Sequence, residues 1–312
     1  MPELPEVEAL RGFLEERLTG RAVARALPVA VSVLKTYDPP LGALEGRTFT
    51  GVARYGKFLG MELGTKPAEP AEAAEPAEPP RSTGRGGAGG GLWLVVHLAR
   101  AGWLQWKDSF PAAPPRPGKG PLALRVELAE GGGFDLTEAG TQKRLAVYVV
   151  RDPAGIPGVA RLGPDPLADS FTREEFAGLL RGQRHRIKGL LRDQSVISGI
   201  GNAYSDEILH AAKMSPFKVA DELTEDEISG LYAALLATLT AAVERARGLS
   251  AAELKAGKRM GLRVHGRAGE PCPVCGDTVR SVSFRDSSLE YCPTCQTGGK
   301  PLADRRMSRL LK

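Results

Sequence analysis

Residue chemistry concentrates at the two ends of this 312-residue chain. The first stretch reads Met1-Pro2-Glu3-Leu4-Pro5-Glu6-Val7-Glu8. An initiating Met is usually removed when the second residue is small, proline included, which would leave Pro2 with a free secondary amine. An α-amino group titrates near about 7.7–8.0, well below lysine. At neutral pH it is therefore the better nucleophile toward a carbonyl-like carbon. A secondary amine that attacks C1′ of a sugar yields an iminium ion, cationic at any pH, which draws electrons and acidifies the C2′ proton. Glu3 and Glu6 lie close enough in sequence to donate or accept that proton. The same residues also fit a plainer arrangement, proline at a first helical position with acidic neighbours favouring the helix dipole.

The other end carries all four cysteines, as Cys272-x-x-Cys275 and Cys292-x-x-Cys295 with sixteen residues between the pairs. Each pair can grip one side of a tetrahedral Zn²⁺ through thiolates at about 2.3 Å. The alternating run VRSVSF (279–284) suits a hairpin between them. A redox dithiol is the competing use of one CxxC, but two matched pairs at this spacing point to a single structural zinc. Four thiolates leave no open coordination position, so the metal would fold the module rather than catalyse.

Several elements must position these ends. Residues 5–20 place Leu10, Phe13, Leu14 and Leu18 on one helical face, with Gly20 as a stop. Residues 47–63 alternate like a strand pair turning near Gly56, and 92–99 form a strongly apolar strand. Residues 122–139 read as a hairpin about Gly131–Gly133, and 143–150 as one more strand. Between 65 and 91 the chain uses only Ala, Pro, Glu, Gly, Ser, Thr, Lys and Arg. That composition cannot offset its ordering entropy, so a disordered low-complexity insertion is expected there. A Pro/Gly-rich connector at 152–168 marks a boundary. From Thr172 to Gly248 the pattern is helical, opening with Thr172 and Glu175 as a capping box. Four or five helices are expected, the last (225–248) long and amphipathic. The reading is an α+β multidomain chain: a β-rich domain at 1–151, a helical domain at 152–261, a cysteine hairpin at 262–296 and a basic tail at 297–312.

Composition narrows the function without deciding it. Lys and Arg exceed Asp and Glu by 42 to 37, a mild excess. Its clustering says more: Arg184, Arg186, Lys188 and Arg192 fall together, as do Lys300, Arg305, Arg306, Arg309 and Lys312. Dense positive charge near glycine-rich turns suits a polyanion such as DNA, although solvated helix faces account for most such runs. No run of roughly 18 apolar residues is present, so no membrane span is expected. The first residues lack the basic and apolar regions of a secretory signal. The expectation is a cytoplasmic, nucleoid-associated monomer with reduced thiols.

The segments MPELPEVE, RYGKFL (54–59), GIGNAYSDEIL (199–209), VHGRAGEPC (264–272) and the closing CxxC…CxxCQ stand in order across nearly the whole chain. Together they resemble the Fpg/Nei family of DNA glycosylase/AP lyases. The resemblance implies a β-sandwich N-terminal domain, a helix–two-turn–helix domain and a zinc-finger β-hairpin, with one structural Zn²⁺ on Cys272, Cys275, Cys292 and Cys295. The implied partner is double-stranded DNA bearing damaged bases or abasic sites. The implied activity is that of a DNA-formamidopyrimidine glycosylase and AP lyase. Such an enzyme removes oxidised or ring-opened bases and nicks the strand by β- or β/δ-elimination. Carried over, Pro2 is the Schiff-base nucleophile, Glu3 the general acid on the sugar, and Glu6 its assistant. Lys57 holds phosphates beside the lesion, and Asn202 binds phosphate from a helix mouth, where unpaired amides attract an anion. Arg100, Arg144, Lys188 and Arg285 complete the implied DNA contacts.

The chain departs from the family pattern at four places. HLARAGWL has Arg100 where many members have a void-filling Met. QKRLAV keeps Arg144 but has Leu145 in place of an aromatic wedge, and leucine fills volume without stacking. Ser287 stands where the zinc hairpin usually has Arg, with Arg285 the nearest basic residue. The stretch 248–266 is short for a loop that caps 8-oxoguanine. These differences leave the lesion open and admit a rival, a damaged-DNA binding protein with weak or no chemistry. A zinc-ribbon nucleic-acid adaptor is a more distant alternative.

Overall fold

The computed structural model describes residues 2–65, 90–116, 118, 120–257, 261–284 and 288–302. The expected low-complexity insertion, Arg285, Ser287 and most of the basic tail thus lie outside the described residues. Two compact units meet in the chain at Ala160/Arg161. One contains Arg11–Arg54 and Phe58–Ala160; the other contains Pro2–Leu10, Tyr55–Lys57 and the described chain from Arg161 on. The first residues and the Lys57 turn therefore belong with the helical part of the chain, not with the sheets.

The helix α1 (Leu4–Leu18) buries Leu10, Phe13, Leu14 and Leu18, the face its periodicity specifies, and stops before Gly20 at φ +82°. Among the described residues the sheets then use eight strands: β1 (Val23–Pro28), β2 (Phe49–Tyr55), β3 (Phe58–Leu63), β4 (Leu92–His97), β5 (Gly102–Lys107), β6 (Leu122–Leu128), β7 (Gly133–Glu138) and β8 (Ala146–Val150). They form two four-stranded sheets, ordered β1-β6-β7-β5 and β2-β3-β4-β8. In the second, Leu94 lies opposite Met61 on one side and Val149 on the other, and all three are buried. In the first, Arg125 and Asp135 pair across β6 and β7 at 2.8 and 3.0 Å. This buried bidentate contact satisfies both charges within the sheet. The short helix α2 (Pro157–Ala160) closes the unit.

The second unit is built on α3 (Arg173–Leu180), α4 (Ile187–Arg192), α5 (Asn202–Ala211), α6 (Glu225–Ala246) and α7 (Ala251–Gly257). Thr172 caps α3 by accepting the Glu175 amide. The full reciprocal capping box stands instead at α6, between Thr224 and Glu227. By length and composition alone α6 could cross a membrane, but Leu231, Leu235 and Leu239 are fully buried in the helical core with Phe176, Leu191 and Ile208. Two turns join α4 to α5, organised by Gln194. Its side chain accepts the Gly199 amide at 2.9 Å and donates to the Ile200 carbonyl at 2.7 Å. The zinc module follows as an antiparallel pair, β9 (Arg280–Ser283) with β10 (Ser288–Tyr291), and the short helix α8 (Pro293–Thr297).

Candidate active site

The turn before α5 does most to build the site. Gly199 has φ +86°, and a Cβ there would lie 2.7 Å from the Leu4 Cβ. The close approach lets the Leu4 amide donate to the Gly199 carbonyl at 2.9 Å. Gly201 is tighter, because a Cβ would sit 2.4 Å from the Glu3 carboxyl carbon. The turn thus brings the chain's first residues against the N-terminus of α5. There the Glu3 carboxylate accepts the amides of Gly201 at 2.8 Å, Ala203 at 3.0 Å and Tyr204 at 3.2 Å. Glu3 is 3 % exposed, so these amides and the helix dipole replace its lost water. The anion held at this helix mouth is a carboxylate of the chain itself, where sequence reasoning expected a phosphate.

Glu6 is fixed from two sides. Its Oε2 accepts the Glu3 amide at 2.7 Å, the backward half of a capping box on α1. Its Oε1 accepts the Tyr204 hydroxyl at 3.2 Å. Burial first, then the Glu6 charge, pushes the Tyr204 phenol well above its ordinary range, so it remains a donor. Beside them opens a cavity of about 300 Å³, whose lining includes Pro5, Glu6, Tyr204, Arg245 and Leu249. Tyr204 escaped the sequence reading because nothing but its position one turn into α5 ties it to Glu6. Pro2 is buried, and Lys57 is 8 % exposed in the same unit. The catalytic residues expected from sequence are thus gathered in one unit, with Glu3 and Glu6 in direct hydrogen-bonded contact.

The expected DNA contacts divide. Arg100 and Arg144 are exposed on loops of the first unit. Beside Arg144, Leu145 is not an exposed wedge: it is 1 % exposed, and its amide and that of Arg144 donate to Glu138 Oε1 at 2.9 and 2.7 Å. Lys188 also turns inward. It is 5 % exposed and donates to Asp206 Oδ1 at 2.5 Å, Ser205 Oγ at 2.8 Å and the Asn202 carbonyl at 3.3 Å. Those three bonds use all the hydrogens of an ammonium, so none remains for a phosphate. Burial lowers the lysine's pKa and Asp206 opposes that effect. Asn202 donates its amide to the Ser288 carbonyl at 2.8 Å.

A further charge cluster was not foreseen. His265 Nδ1 lies 2.8 Å from Asp206 Oδ2 and 3.2 Å from Glu290 Oε2. Burial alone would lower the imidazole pKa, but Asp206 and then Glu290 outweigh it and raise it. The neighbouring Glu207 accepts the amides of Arg263, Val264 and His265 at 2.7, 2.9 and 2.8 Å. Burial pushes its carboxyl up, against the pull of those three donors.

The four cysteines do come together. Their sulfurs all lie within 4.8 Å of one another and form no disulfide. Cys272 and Cys295 are 3.9 Å apart, Cys275 and Cys292 3.3 Å. Tetrahedral thiolates at about 2.3 Å from a metal stand roughly 3.8 Å apart, so the cluster fits one Zn²⁺.

Comparison with known proteins places this architecture. The model of the formamidopyrimidine-DNA glycosylase N-terminal domain matches residues 1–144, that of the formamidopyrimidine-DNA glycosylase H2TH domain 162–253, and that of the zinc finger found in FPG and IleRS 269–298. A formamidopyrimidine-DNA glycosylase of Symbiobacterium thermophilum is 33 % identical across 95 % of this chain and 89 % of its own length. The chain belongs to the formamidopyrimidine-DNA glycosylase family. Its sheet domain, helix–two-turn–helix region and zinc finger are that family's fold, and family membership makes it a DNA glycosylase by class. Another family relative, an uncharacterized formamidopyrimidine-DNA glycosylase-like protein of Mycobacterium tuberculosis, is 60 % identical over 51 % of this chain and 99 % of its own. Among solved members, the MutM (Fpg) protein of Thermus thermophilus superposes with a TM-score of 0.73 at 29 % identity, covering 96 % of this chain and all of that one. Lactococcus lactis Fpg, solved in complex with abasic-site DNA, superposes at 0.76 and 25 % identity, covering 95 % and 99 %.

Proposed function

We propose that this protein excises oxidised or ring-opened bases from duplex DNA and cuts the resulting abasic strand by elimination. The observation that carries the reading is the Glu3 carboxylate, held by three amides at the head of α5 and next in chain to Pro2. Extruding a damaged nucleotide costs a few kcal/mol and is cheapest where pairing is already weak. With Met1 removed, the Pro2 nitrogen attacks C1′, the glycosidic bond breaks, and the base leaves with its electron pair and takes up a proton. Loss of a proton from nitrogen, followed by ring opening, gives the C1′ iminium. Removal of a C2′ proton then expels the 3′ phosphate, with Glu3 exchanging protons with the sugar and Glu6 assisting. The cavity beside Glu6 and Tyr204 is of a size to receive the extruded base. Lys57, Arg100, Arg144 and Asn202 hold the phosphates, and the metal needed is the one structural Zn²⁺.

Borohydride reduction in the presence of an abasic duplex should trap a covalent protein–DNA adduct. The adduct should vanish in Pro2→Gly while the melting temperature is retained. Persistent trapping in that variant, or retention of Met1 in a fully active preparation, would move the nucleophile elsewhere. The rival of a damage-binding protein with weak chemistry is motivated by Arg100 at the void-filling position and by the burial of Leu145. Tight binding to an abasic duplex without nicking would favour it.

A further inference from the structure

Helix α5 meets the zinc module along one of its faces. Asn202, Asp206 and His210 recur every four residues and so share a side of the helix. Asn202 donates to the Ser288 carbonyl, Asp206 contacts His265, and His210 reaches Cys272. The last contact stands apart. His210 Nε2 lies 3.3 Å from Cys272 Sγ, with the two residues 2 % and 3 % exposed. His210 Nδ1 is also buried and has no hydrogen-bond partner.

Sulfur chemistry settles the direction of this bond when the module is loaded. A metal-bound cysteine has lost its proton and can only accept, so the ring must donate through Nε2. In that tautomer Nδ1 carries a lone pair, and an unpartnered acceptor is the less costly orphan for a buried ring. Four thiolates around one Zn²⁺ carry a net charge of −2, which on the buried side, at Cys272 and Cys292, falls to nearby donors. The amide of Cys295 is 3.5 Å from Cys292 Sγ and is one such donor; His210 supplies a side-chain donor to Cys272.

We infer that His210 is a zinc-positioning residue: its Nε2–H hydrogen bond to the Cys272 thiolate retains the metal and fastens the zinc module to the helix whose other end cradles Glu3. The inference concerns metal retention and does not depend on which lesion is excised. It explains why a histidine occupies this buried position, where an apolar side chain would pack without leaving an orphan nitrogen.

The test uses the zinc-loaded full-length chain and three measurements. In His210→Phe, which keeps the ring and removes the donor, zinc should pass to a chromogenic chelator about 10-fold faster than in wild type. His210→Gln, which returns an N–H at similar reach, should recover most of the difference. With Co²⁺ in place of zinc, the sulfur-to-metal charge-transfer band should move to lower energy in His210→Phe, since an unbonded thiolate gives up its electrons more readily. Should His210→Phe fail to fold, the wild type loaded with ¹¹³Cd decides the matter. A slowly exchanging imidazole Hε2 coupled to the cadmium across the sulfur supports the inference, whereas a ring protonated only at Nδ1 overturns it. Wild-type zinc release with an unshifted cobalt band in a folded His210→Phe overturns it equally.

Discussion

At the scale of the residue, the site is a matter of who holds the carboxylates. Pro2 and Glu3 stand out in the sequence as candidates because an N-terminal amine beside acids is a chemical pattern. The groups that aim Glu3 are not, since they are backbone amides about 200 positions away. Gly201 carries the sharpest consequence. A Cβ 2.4 Å from the Glu3 carboxyl carbon must displace that side chain. Gly201→Ala is expected to slow both excision and strand nicking on the order of 100-fold, since an ångström of misplacement costs that much. Circular dichroism should show the fold retained; an active Gly201→Ala would mean that the Glu3 cradle is irrelevant to chemistry. Tyr204 permits a gentler test. Tyr204→Phe removes only the donor to Glu6. A hydrogen bond to a charged group contributes about 1.5–3 kcal/mol, so base excision should fall roughly 10-fold or more in single-turnover assays. Nicking of a preformed abasic site, with no base to place, should fall much less.

At the scale of the element, helical periodicity and turn residues revealed α1 and the strand pairs, because local burial patterns dictate both. What they could not reveal is which face of α5 is polar for a reason. Asp206 and Glu207 in GNAYSDEIL look like an ordinary solvated pair, yet both are at most 4 % exposed. Lys188 is the reverse case: in sequence one of a run of basic residues, it is the partner that makes a buried Asp206 tolerable. Removing one member of such a pair strands the other. Asp206→Ala should cost about 3–5 kcal/mol, on the order of 10 °C in melting temperature. Adding Lys188→Met should return most of the loss, and calorimetry of the single and double variants measures that coupling. His265 adds a pH dependence. Its folded pKa is raised, so the stability it lends is complete below the unfolded value of about 6.5 and is lost as pH climbs through the raised value. Wild-type melting temperature should therefore decline above about pH 6.5 more steeply than that of His265→Asn, and parallel curves for the two would remove His265 from the account.

At the scale of the whole molecule, motif order exposed three kinds of domain, but chain order is not spatial order. Pro2–Leu10 and Tyr55–Lys57 precede or interrupt the sheets in sequence and yet count with the helices: Glu3 and Leu4 hydrogen-bond to Gly201 and Gly199, and a Cβ on Gly56 would meet Ser198, Leu162 and Gly199. The same separation governs how the molecule's charge meets DNA. Net charge is +5, but only a cation with free hydrogens can replace a counterion at a phosphate. Arg100 and Arg144 are exposed, whereas every ammonium hydrogen of Lys188 is bonded inside the protein. Each phosphate that the protein no longer neutralises should reduce the slope of log Kobs against log salt by about 1. Arg100→Ala and Arg144→Ala should each show that reduction in fluorescence-anisotropy titrations with an abasic duplex. The compensated variant Lys188→Met/Asp206→Leu, which deletes the buried pair and leaves net charge unchanged, should keep the wild-type slope. A reduced slope in that double variant would mean that Lys188 leaves Asp206 and turns toward the phosphates when DNA binds, and the inward-facing lysine would then be only the resting arrangement.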